Sequence, residues 1–424
     1  MELAAENKLS SSAQYSPTST PVLDVFRPLP PQTKEGLSAG EYFLASSLVI
    51  LTLIGLPRLR TAIVSAPWWV MLIPVAAALA AAAVHEGGHV LAGMLSGFKL
   101  TQLRVGSFGL GRHANCREPY CGDVLTLGPM ALEPRERALD EAGLRRRLVV
   151  LLMGGPLASF AWACALELLH ALTQPGLLAA FTMHVGAAFS ALCGVAALLP
   201  DVNRHGNFSD GGRLLMVLKN DDKAERWLSN IHCQMALNRG QHPREWDEAQ
   251  VGRAAAINDD SRDAFIARWL AYLWAAERQD ITCATKYLEG ALEVLAFSTP
   301  RHRDLLFLEA AVFQAWFRDN PSKALFWVYR IRNKKLSRLQ KQRLDIALLW
   351  AEGRLFDAWE QLGTGYLAEL RQLSVSPGRT LAEESAAEWK RQMESRMLTR
   401  AWRSMYSLSR QLEPSSLQAA FTAQ

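Results

Sequence analysis

The sequence predicts a mainly α-helical protein with a polytopic membrane helix bundle of about four spans, a small β-hairpin insertion and a soluble, repeat-like helical domain at the C-terminus. Half of its 424 residues are hydrophobic, and they are unevenly distributed. Dense apolar stretches fall between residues 42 and 200, whereas residues 215–424 mix charged and apolar side chains at helical spacing. A chain of this length accommodates both a membrane domain and a soluble domain of ordinary size.

These shifts in composition divide the chain into three predicted parts. Residues 1–40 are rich in Ser, Pro, Thr and Gln and contain no long apolar run. That composition is typical of a disordered tail and lacks the pattern of a cleaved signal peptide. We expect residues 41–216 to form the membrane domain and residues 217–424 to form the helical domain.

Four apolar segments are candidate membrane spans. The first, Tyr42–Leu56, is shorter than the roughly 20 residues that an upright span needs. The second, Trp68–Phe98, begins with aromatic residues typical of a membrane interface, and a polar cluster interrupts it near its end. The third and fourth, Leu148–Leu169 and Leu177–Leu199, are separated by a short uncharged connection. The sequence therefore predicts a multi-pass protein in a lipid bilayer.

The arginine residues around these spans indicate their orientation. The connection 99–147 is rich in arginine, and the connection between the third and fourth spans has no charge. Cytoplasmic loops of membrane proteins carry an excess of Lys and Arg. The long connection, and with it the C-terminal domain, is therefore expected in the cytoplasm, although Arg58 and Arg60 favour the opposite orientation more weakly.

The connection 99–147 contains two β-like runs. Leu103–Leu110 alternates in polarity and includes Gly106 and Gly109, and Val124–Leu127 is a second short run. Together they suggest a hairpin. Its edge is either a pairing site for an extended substrate or a plain surface feature.

Small residues recur in the C-terminal part. Ala284, Ala324 and Ala358 are separated by 40 and 34 residues, close to the period of about 34 that tetratricopeptide repeats show. The paired helices of such repeats pack through small residues. A degenerate tetratricopeptide-like array that binds a protein partner is one prediction, and an irregular helical bundle is the alternative.

Charge and cysteine content exclude two other classes. A formal net charge of +5 is mild for this length, so the sequence gives no reason to expect nucleic-acid binding. The six cysteines are scattered and show no disulfide-scaffold spacing. We expect reduced thiols.

The polar cluster in the second span has the H-E-x-x-H arrangement. His85 and His89 are four residues apart, so on a helix both imidazoles lie on one face and can bind one zinc ion. Glu86 can then take a proton from a metal-bound water as it attacks a carbonyl group. Ionisable side chains inside an apolar helix need a partner that offsets their desolvation. The alternative is a pair of core histidines hydrogen-bonded to neighbouring carbonyl groups.

A catalytic zinc site needs a third protein ligand and an open position for water. Asp201 and Asp210 follow the fourth span, which returns the chain to the membrane face of the histidines, whereas Glu167 falls near the opposite face. Asp210 is preferred because the two adjacent glycines allow close backbone approach. As an alternative, Ser209-Asp210 only caps the helix that is expected to begin near Arg213.

Three motifs, in order along the chain, resemble those of the site-2 protease family of intramembrane metalloproteases. His85–Ala92 is similar to the first motif of the family, Gly154–Ser159 to the Gly-Pro-containing motif of an intervening helix, and Phe208–Leu215 to the Asp-Gly motif. The resemblance covers roughly residues 66–216.

This resemblance implies an intramembrane zinc endopeptidase. Zinc would be bound by His85, His89 and Asp210, with Glu86 as the general base. The substrates would be membrane-anchored proteins cut near a transmembrane segment. Two other functions are compatible with the sequence: a non-catalytic membrane scaffold that uses the helical repeats for binding, and a metal transporter or sensor.

Two positions depart from the family pattern. The family often has asparagine where Ser159 and Ala197 stand here, so the help that these amides give to substrate or oxyanion binding is not expected from them. The segment 201–207 lengthens the approach to Asp210 and contains His205. This histidine either touches substrate or is a solvated loop residue.

Overall fold

The computed structural model describes residues 72–105, 108–111, 130–134, 141–203, 206–259, 261–298, 300–331 and 336–411. Side chains are described outside residues 101–141 and a few other positions. The predicted tail, the first predicted span, the run Val124–Leu127 and His205 all lie outside the described residues.

Three long apolar helices form the first part of the described chain: α1 (Ile73–Leu95), α2 (Glu141–Thr173) and α3 (Leu177–Leu198). Each packs against the other two. Among the described residues, these are the three helices that are long and apolar enough to cross a membrane. They correspond to the second, third and fourth predicted spans. Helix α2 begins before its predicted span because the arginine segment 145–147 continues the helix.

Glycines let α1 and α2 approach closely. A Cβ atom at Gly88 would collide with the carbonyl oxygen of Gly154 and with the side chain of Ala158. A Cβ atom at Gly154 would in turn collide with the side chain of Ala92. Close contact through small residues is the usual way in which membrane helices pack. This contact fixes the distance of α1 from α2 beside the polar cluster of α1.

A small antiparallel sheet follows α1. Its strands β1 (Phe98–Val105), β2 (Phe108–Gly111) and β3 (Met130–Pro134) are arranged in the order β2-β1-β3. The first predicted β-like run, Leu103–Leu110, is divided between β1 and β2, which pair with each other. The predicted hairpin joined this run to Val124–Leu127, which lies outside the described residues. The third strand is not among the sequence-based predictions, because its five residues carry no clear alternation.

The rest of the described chain is helical. Its helices are α4 (Asp210–Lys219), α5 (Asp222–Asn238), α6 (Glu248–Ala256), α7 (Arg262–Glu277), α8 (Ile281–Glu293), α9 (Pro300–Trp316), α10 (Pro321–Val328), α11 (Arg338–Ala351), α12 (Leu355–Glu360), α13 (Leu367–Gln372) and α14 (Pro377–Gln411). A π-helical turn at 361–366 joins α12 to α13.

Consecutive helices α7–α8, α9–α10 and α11–α12 pack as pairs. The turn inside each pair contains a residue with a left-handed backbone, with φ of 60° at Gln279, 48° at Asp319 and 77° at Gly353. The recurring residues Ala284, Ala324 and Ala358 are buried in the second helix of each pair. A larger side chain at these positions would push the paired helices apart.

One hydrophobic cluster joins the apolar helices to the C-terminal helices. Leu144 and Leu148 of α2 pack in it with Val217 of α4 and with Trp227 and Leu228 of α5. These side chains are almost completely buried. The first turns of α2 therefore pack with the C-terminal helices as well as within the apolar helix bundle.

Candidate metal centre

Helix α1 carries His85, Glu86 and His89. The i, i+4 spacing places both imidazoles on the face that packs against α2, and both are buried. Glu86 is partly buried and lies close enough to both histidines and to Asp210 to interact electrostatically with them. The two histidines therefore point from α1 toward the neighbouring helix α2.

Asp210 is the first residue of α4, not a residue that precedes a helix beginning near Arg213. The cap of α4 is Ser209, whose Oγ accepts a hydrogen bond from the N–H of Gly212 at 3.0 Å and donates one to the carbonyl oxygen of Leu199 at 2.6 Å. The helix therefore has its cap from the neighbouring residue. The Asp210 carboxylate does not perform the capping role that the sequence left open for it.

The two glycines after Asp210 hold the start of α4 against the end of α3. A Cβ atom at Gly211 would collide with the carbonyl oxygen of Leu198, and one at Gly212 would lie 3.1 Å from the carbonyl oxygen of Asp201. A side chain at Gly211 would therefore displace α4. The close approach places the Asp210 side chain beside α1.

The structure brings Asp210 together with both histidines. Its Oδ2 atom lies 3.2 Å from Nε2 of His85 and 3.1 Å from Nε2 of His89, and the two Nε2 atoms are 3.2 Å apart. Ligand atoms around a tetrahedral zinc ion with bonds of 2.0–2.1 Å are separated by about 3.3 Å. The triangle of donor atoms thus has nearly the size that one zinc ion requires.

The hydrogen bonds of the outer nitrogens, Nδ1, determine whether the inner nitrogens, Nε2, present a proton or a lone pair to Asp210. Nδ1 of His89 is 2.8 Å from the carbonyl oxygen of Leu151, which only accepts, so Nδ1 carries a proton and donates. In neutral His89 the Nε2 atom then presents a lone pair to Asp210. A proton on Nε2 of His89 would make that ring an imidazolium, whereas His85 can carry a proton on Nε2 and stay neutral if its Nδ1 atom accepts from the hydroxyl of Ser159. A single divalent cation satisfies all three donor atoms at once.

Burial and the two imidazoles act in opposite directions on the pKa of Asp210. Burial alone raises the pKa of this carboxyl group, but the contacts with His85 and His89 outweigh it and lower the pKa to about 2. The carboxyl group is therefore ionised at neutral pH, which is the form that binds a cation.

The donor set fits zinc chemistry. Two imidazoles and one carboxylate are a frequent ligand set of catalytic zinc, and they leave a fourth position for water. Each histidine also has an outer partner that orients its ring: Leu151 for His89, and Ser159, whose Oγ is 3.0 Å from Nδ1 of His85. We conclude that these residues could hold a metal ion together with a water molecule.

Ser159 is expected to affect metal affinity through His85. It is fully buried, and its carbonyl oxygen accepts a hydrogen bond from Ser190 at 2.9 Å, which fixes its position. Loss of an outer-shell partner typically lowers metal affinity about 10–100-fold. We expect Ser159→Ala to weaken zinc binding within this range in a competition titration against a chelator.

Ser96→Ala is the control, because the Ser96 hydroxyl bonds only to the carbonyl oxygens of Ala92 and Gly93 in α1. An equal loss of zinc affinity in both variants would contradict a role of Ser159.

Cys193 of α3 is a neighbour of the site that the sequence did not reveal. Its thiol lies close enough to His85 to interact with it electrostatically. Cys193 is one helical turn from Ala197, the position where site-2 proteases often carry asparagine, so both residues lie on the same face of α3. That shared face was the signal that could have pointed to Cys193.

The other acidic candidates lie elsewhere. An Oδ1 atom of Asp201 accepts a hydrogen bond from the backbone N–H of Val202 at 2.8 Å, and Asp201 is not part of the donor cluster. Glu167 pairs with His184, away from the first site. Of these three acidic residues, the structure places Asp210 beside the histidines.

Comparison of the chain with protein-family models, with curated proteins and with solved structures finds no match. The likeness to site-2 proteases therefore rests on the three sequence motifs.

Proposed function

We propose that this protein is a multi-pass intramembrane zinc endopeptidase that cuts membrane-anchored proteins near a transmembrane segment. The observation that carries the proposal is the contact of the Asp210 carboxylate with Nε2 of both His85 and His89, at 3.1–3.2 Å. Asp210 is 125 residues from His85 and 121 residues from His89 in the sequence, yet the three side chains meet beside the apolar helices. A group of buried ionisable side chains in such a place is expected to have a functional partner.

In this proposal His85, His89 and Asp210 hold zinc. Zinc in such a site polarises a peptide carbonyl and lowers the pKa of water to about 7. Glu86 accepts the proton of the attacking water and passes it to the departing amine. Leu151 and Ser159 keep the imidazole rings oriented throughout. The resemblance of the three motifs to those of site-2 proteases supports the same assignment.

The depth of the site supports cleavage near one membrane face. From Ile73 to His85 helix α1 rises about 18 Å at 1.5 Å per residue, in a hydrocarbon core about 30 Å thick. His85 therefore lies near the middle of α1, and His89 lies about 6 Å further toward the C-terminal helices. The arginines at 145–147 favour the cytoplasm for that side, and we propose a cytoplasmic C-terminal domain.

We propose that residues 217–424 form a tetratricopeptide-like domain that recruits a protein partner or gates substrate. The three helix pairs with buried small residues support a repeat array. The first of these pairs contacts the helix of Asp210, because Arg213 of α4 forms an ion pair with Asp263 of α7 at 3.1 Å. A partner bound to this domain is thus in a position to influence the metal centre.

The variant Glu86→Gln tests the proposed function. We expect it to abolish cleavage and to retain zinc, because glutamine fills the same volume but cannot accept the proton. The measurement is quantitative proteomics of membrane-anchored fragments in cells that express either form, together with the zinc content of both purified proteins. Glu225→Gln, at an exposed acid of α5, is the matched control.

The outcome separates the rival functions. Substrates that accumulate uncut with Glu86→Gln, but not with Glu225→Gln, support a protease. An identical fragment profile in both variants, with zinc retained, would contradict it and would favour a scaffold or a metal transporter, since neither needs a general base.

A further inference from the structure

A second group of metal-binding side chains lies on the apolar helices. Glu167 and His170 are on α2, and His184 is on α3. One donor atom from each residue lies within 4.8 Å of the others. The proposed protease reaction uses none of them.

Helix geometry brings these residues together. Glu167 and His170 are three residues apart, so their side chains project from the same face of α2. The short connection 174–176 makes α2 and α3 a helical hairpin, and His184 faces that pair from α3. Nδ1 of His184 is 3.0 Å and 3.1 Å from the two carboxylate oxygens of Glu167. The imidazole rings of His170 and His184 have centroids 4.3 Å apart.

The cluster is separate from the first site. Along α2, Glu167 lies about 12 Å beyond Ser159 at 1.5 Å per residue, toward the connection to α3. Its distance from the start of α2 places it near the opposite end of the apolar bundle. Ligands that reach it would enter from the opposite side of a membrane.

The chemistry of the three side chains favours a divalent cation. A carboxylate and two imidazoles are costly on helices that otherwise present apolar residues, unless a partner offsets the cost. Imidazole and carboxylate groups are ligands of zinc and related transition-metal ions. The side chains of Glu167 and His184 are each half exposed, at 50%, so an ion can reach them directly.

We propose that Glu167, His170 and His184 form a second binding site for a divalent transition-metal ion of the zinc class. An ion held there cross-links α2 to α3 at the end of the hairpin opposite to the first site. Because Glu167 and His184 are exposed, this ion exchanges more readily than one at the buried site. The proposal does not depend on the proposed protease function.

The test is the metal content of the full chain. The protein is purified in detergent through a histidine-free affinity tag, equilibrated with zinc and assayed by elemental mass spectrometry. We expect two zinc ions per chain in the wild type and one in the variant His170→Ala/His184→Ala. The variant His85→Ala/His89→Ala should also retain one, which is then the more easily removed by a chelator.

Two further variants test the carboxylate ligand alone and provide a control outside the cluster. Glu167→Gln preserves the size of the side chain and leaves both histidines in place. We expect this single variant to lower the zinc affinity of the second site at least tenfold. Cys164→Ser removes another exposed donor from α2 outside the cluster and should leave both ions bound.

The metal counts decide the result. A zinc count that His170→Ala/His184→Ala and Glu167→Gln leave unchanged from the wild type would overturn the second site. Loss of zinc only from the His85→Ala/His89→Ala variant would do the same while supporting the first site. Retention of zinc by that variant with loss in the others would instead contradict the first site.

Discussion

Replacing Asp210 with alanine should remove the metal ion from the site on α1. Structural zinc sites with four ligands have apparent binding free energies of about 10–16 kcal/mol, or roughly 3 kcal/mol per ligand. We therefore expect Asp210→Ala to weaken zinc binding by about a hundredfold or more and to abolish cleavage. The measurement is a competition titration in the His170→Ala/His184→Ala background, in which the first site is titrated alone.

The matched control is Asp201→Ala. Asp201 lies in the same segment after α3, but its carboxylate bonds to the backbone N–H of Val202. We expect this variant to keep zinc affinity within a few-fold of the wild type. Asp210→Asn separates charge from size, since the amide keeps the shape but is a poorer ligand. Unchanged zinc affinity in Asp210→Ala would show that Asp210 is not a ligand.

Replacing Asp263 with alanine is expected to destabilise the protein and to weaken the metal site from a distance. Asp263 pairs with Arg213 at 3.1 Å and 3.3 Å, and their side chains are 3% and 11% exposed. Removal of one partner from a buried ion pair costs about 3–5 kcal/mol. Arg213 is three residues after Asp210 in α4, so a shift of the arginine would move the carboxylate.

Neighbouring contacts indicate why this pair should matter. The guanidinium of Arg213 also lies over the ring of Trp227, 4.5 Å from its centroid. The backbone N–H of Arg262 donates to the carbonyl oxygen of Gly206, at 3.1 Å, in the segment before α4. The C-terminal helices thus hold both α4 and the segment that leads into it. They are expected to keep Asp210 at the distance that zinc requires.

Replacement of both partners together tests this coupling. The variant Arg213→Met/Asp263→Leu replaces the buried pair with apolar side chains, which is often neutral for stability, so it should recover much of the unfolding free energy that Asp263→Ala loses. Arg354→Ala is the control, because its pair with Asp357 is exposed and worth less than about 1 kcal/mol. Zinc affinity and melting temperature that stay at wild-type values in Asp263→Ala would contradict the coupling.

The sequence predicted the parts of the fold that depend on local pattern. The apolar runs identified α1, α2 and α3, because a span needs about 20 apolar residues and few other segments have them. Strand β3 was missed, because its pairing with β1 is a contact distant in sequence. The turns at Gln279 and Asp319 were also not evident, since left-handed backbone at residues other than glycine has no strong sequence signal.

The same distinction applies to the candidate site. The spacing of His85 and His89 is a local property, and the glycines beside Asp210 marked a close approach. The contact of Ser159 with His85 depends on how α2 is rotated about its axis, which the approach of Gly88 to Gly154 determines. The sequence left the cap of α4 open between Ser209 and Asp210, and the structure assigns it to Ser209, whose Oγ accepts a hydrogen bond from the N–H of Gly212. His184 was not recognised as the partner of Glu167, because only the folded chain brings these two residues together.

Helix α2 has 33 residues and is about 50 Å long, much more than a bilayer core of about 30 Å. Its first turns supply Leu144 to the core shared with α5, and a later turn supplies the carbonyl of Leu151 that orients His89. One continuous helix therefore links the core around α5 to the imidazole ring of His89. Because α2 is continuous from Leu144 to Leu151, a substitution that shifts α2 against α5 would also move the carbonyl oxygen that orients the imidazole of His89.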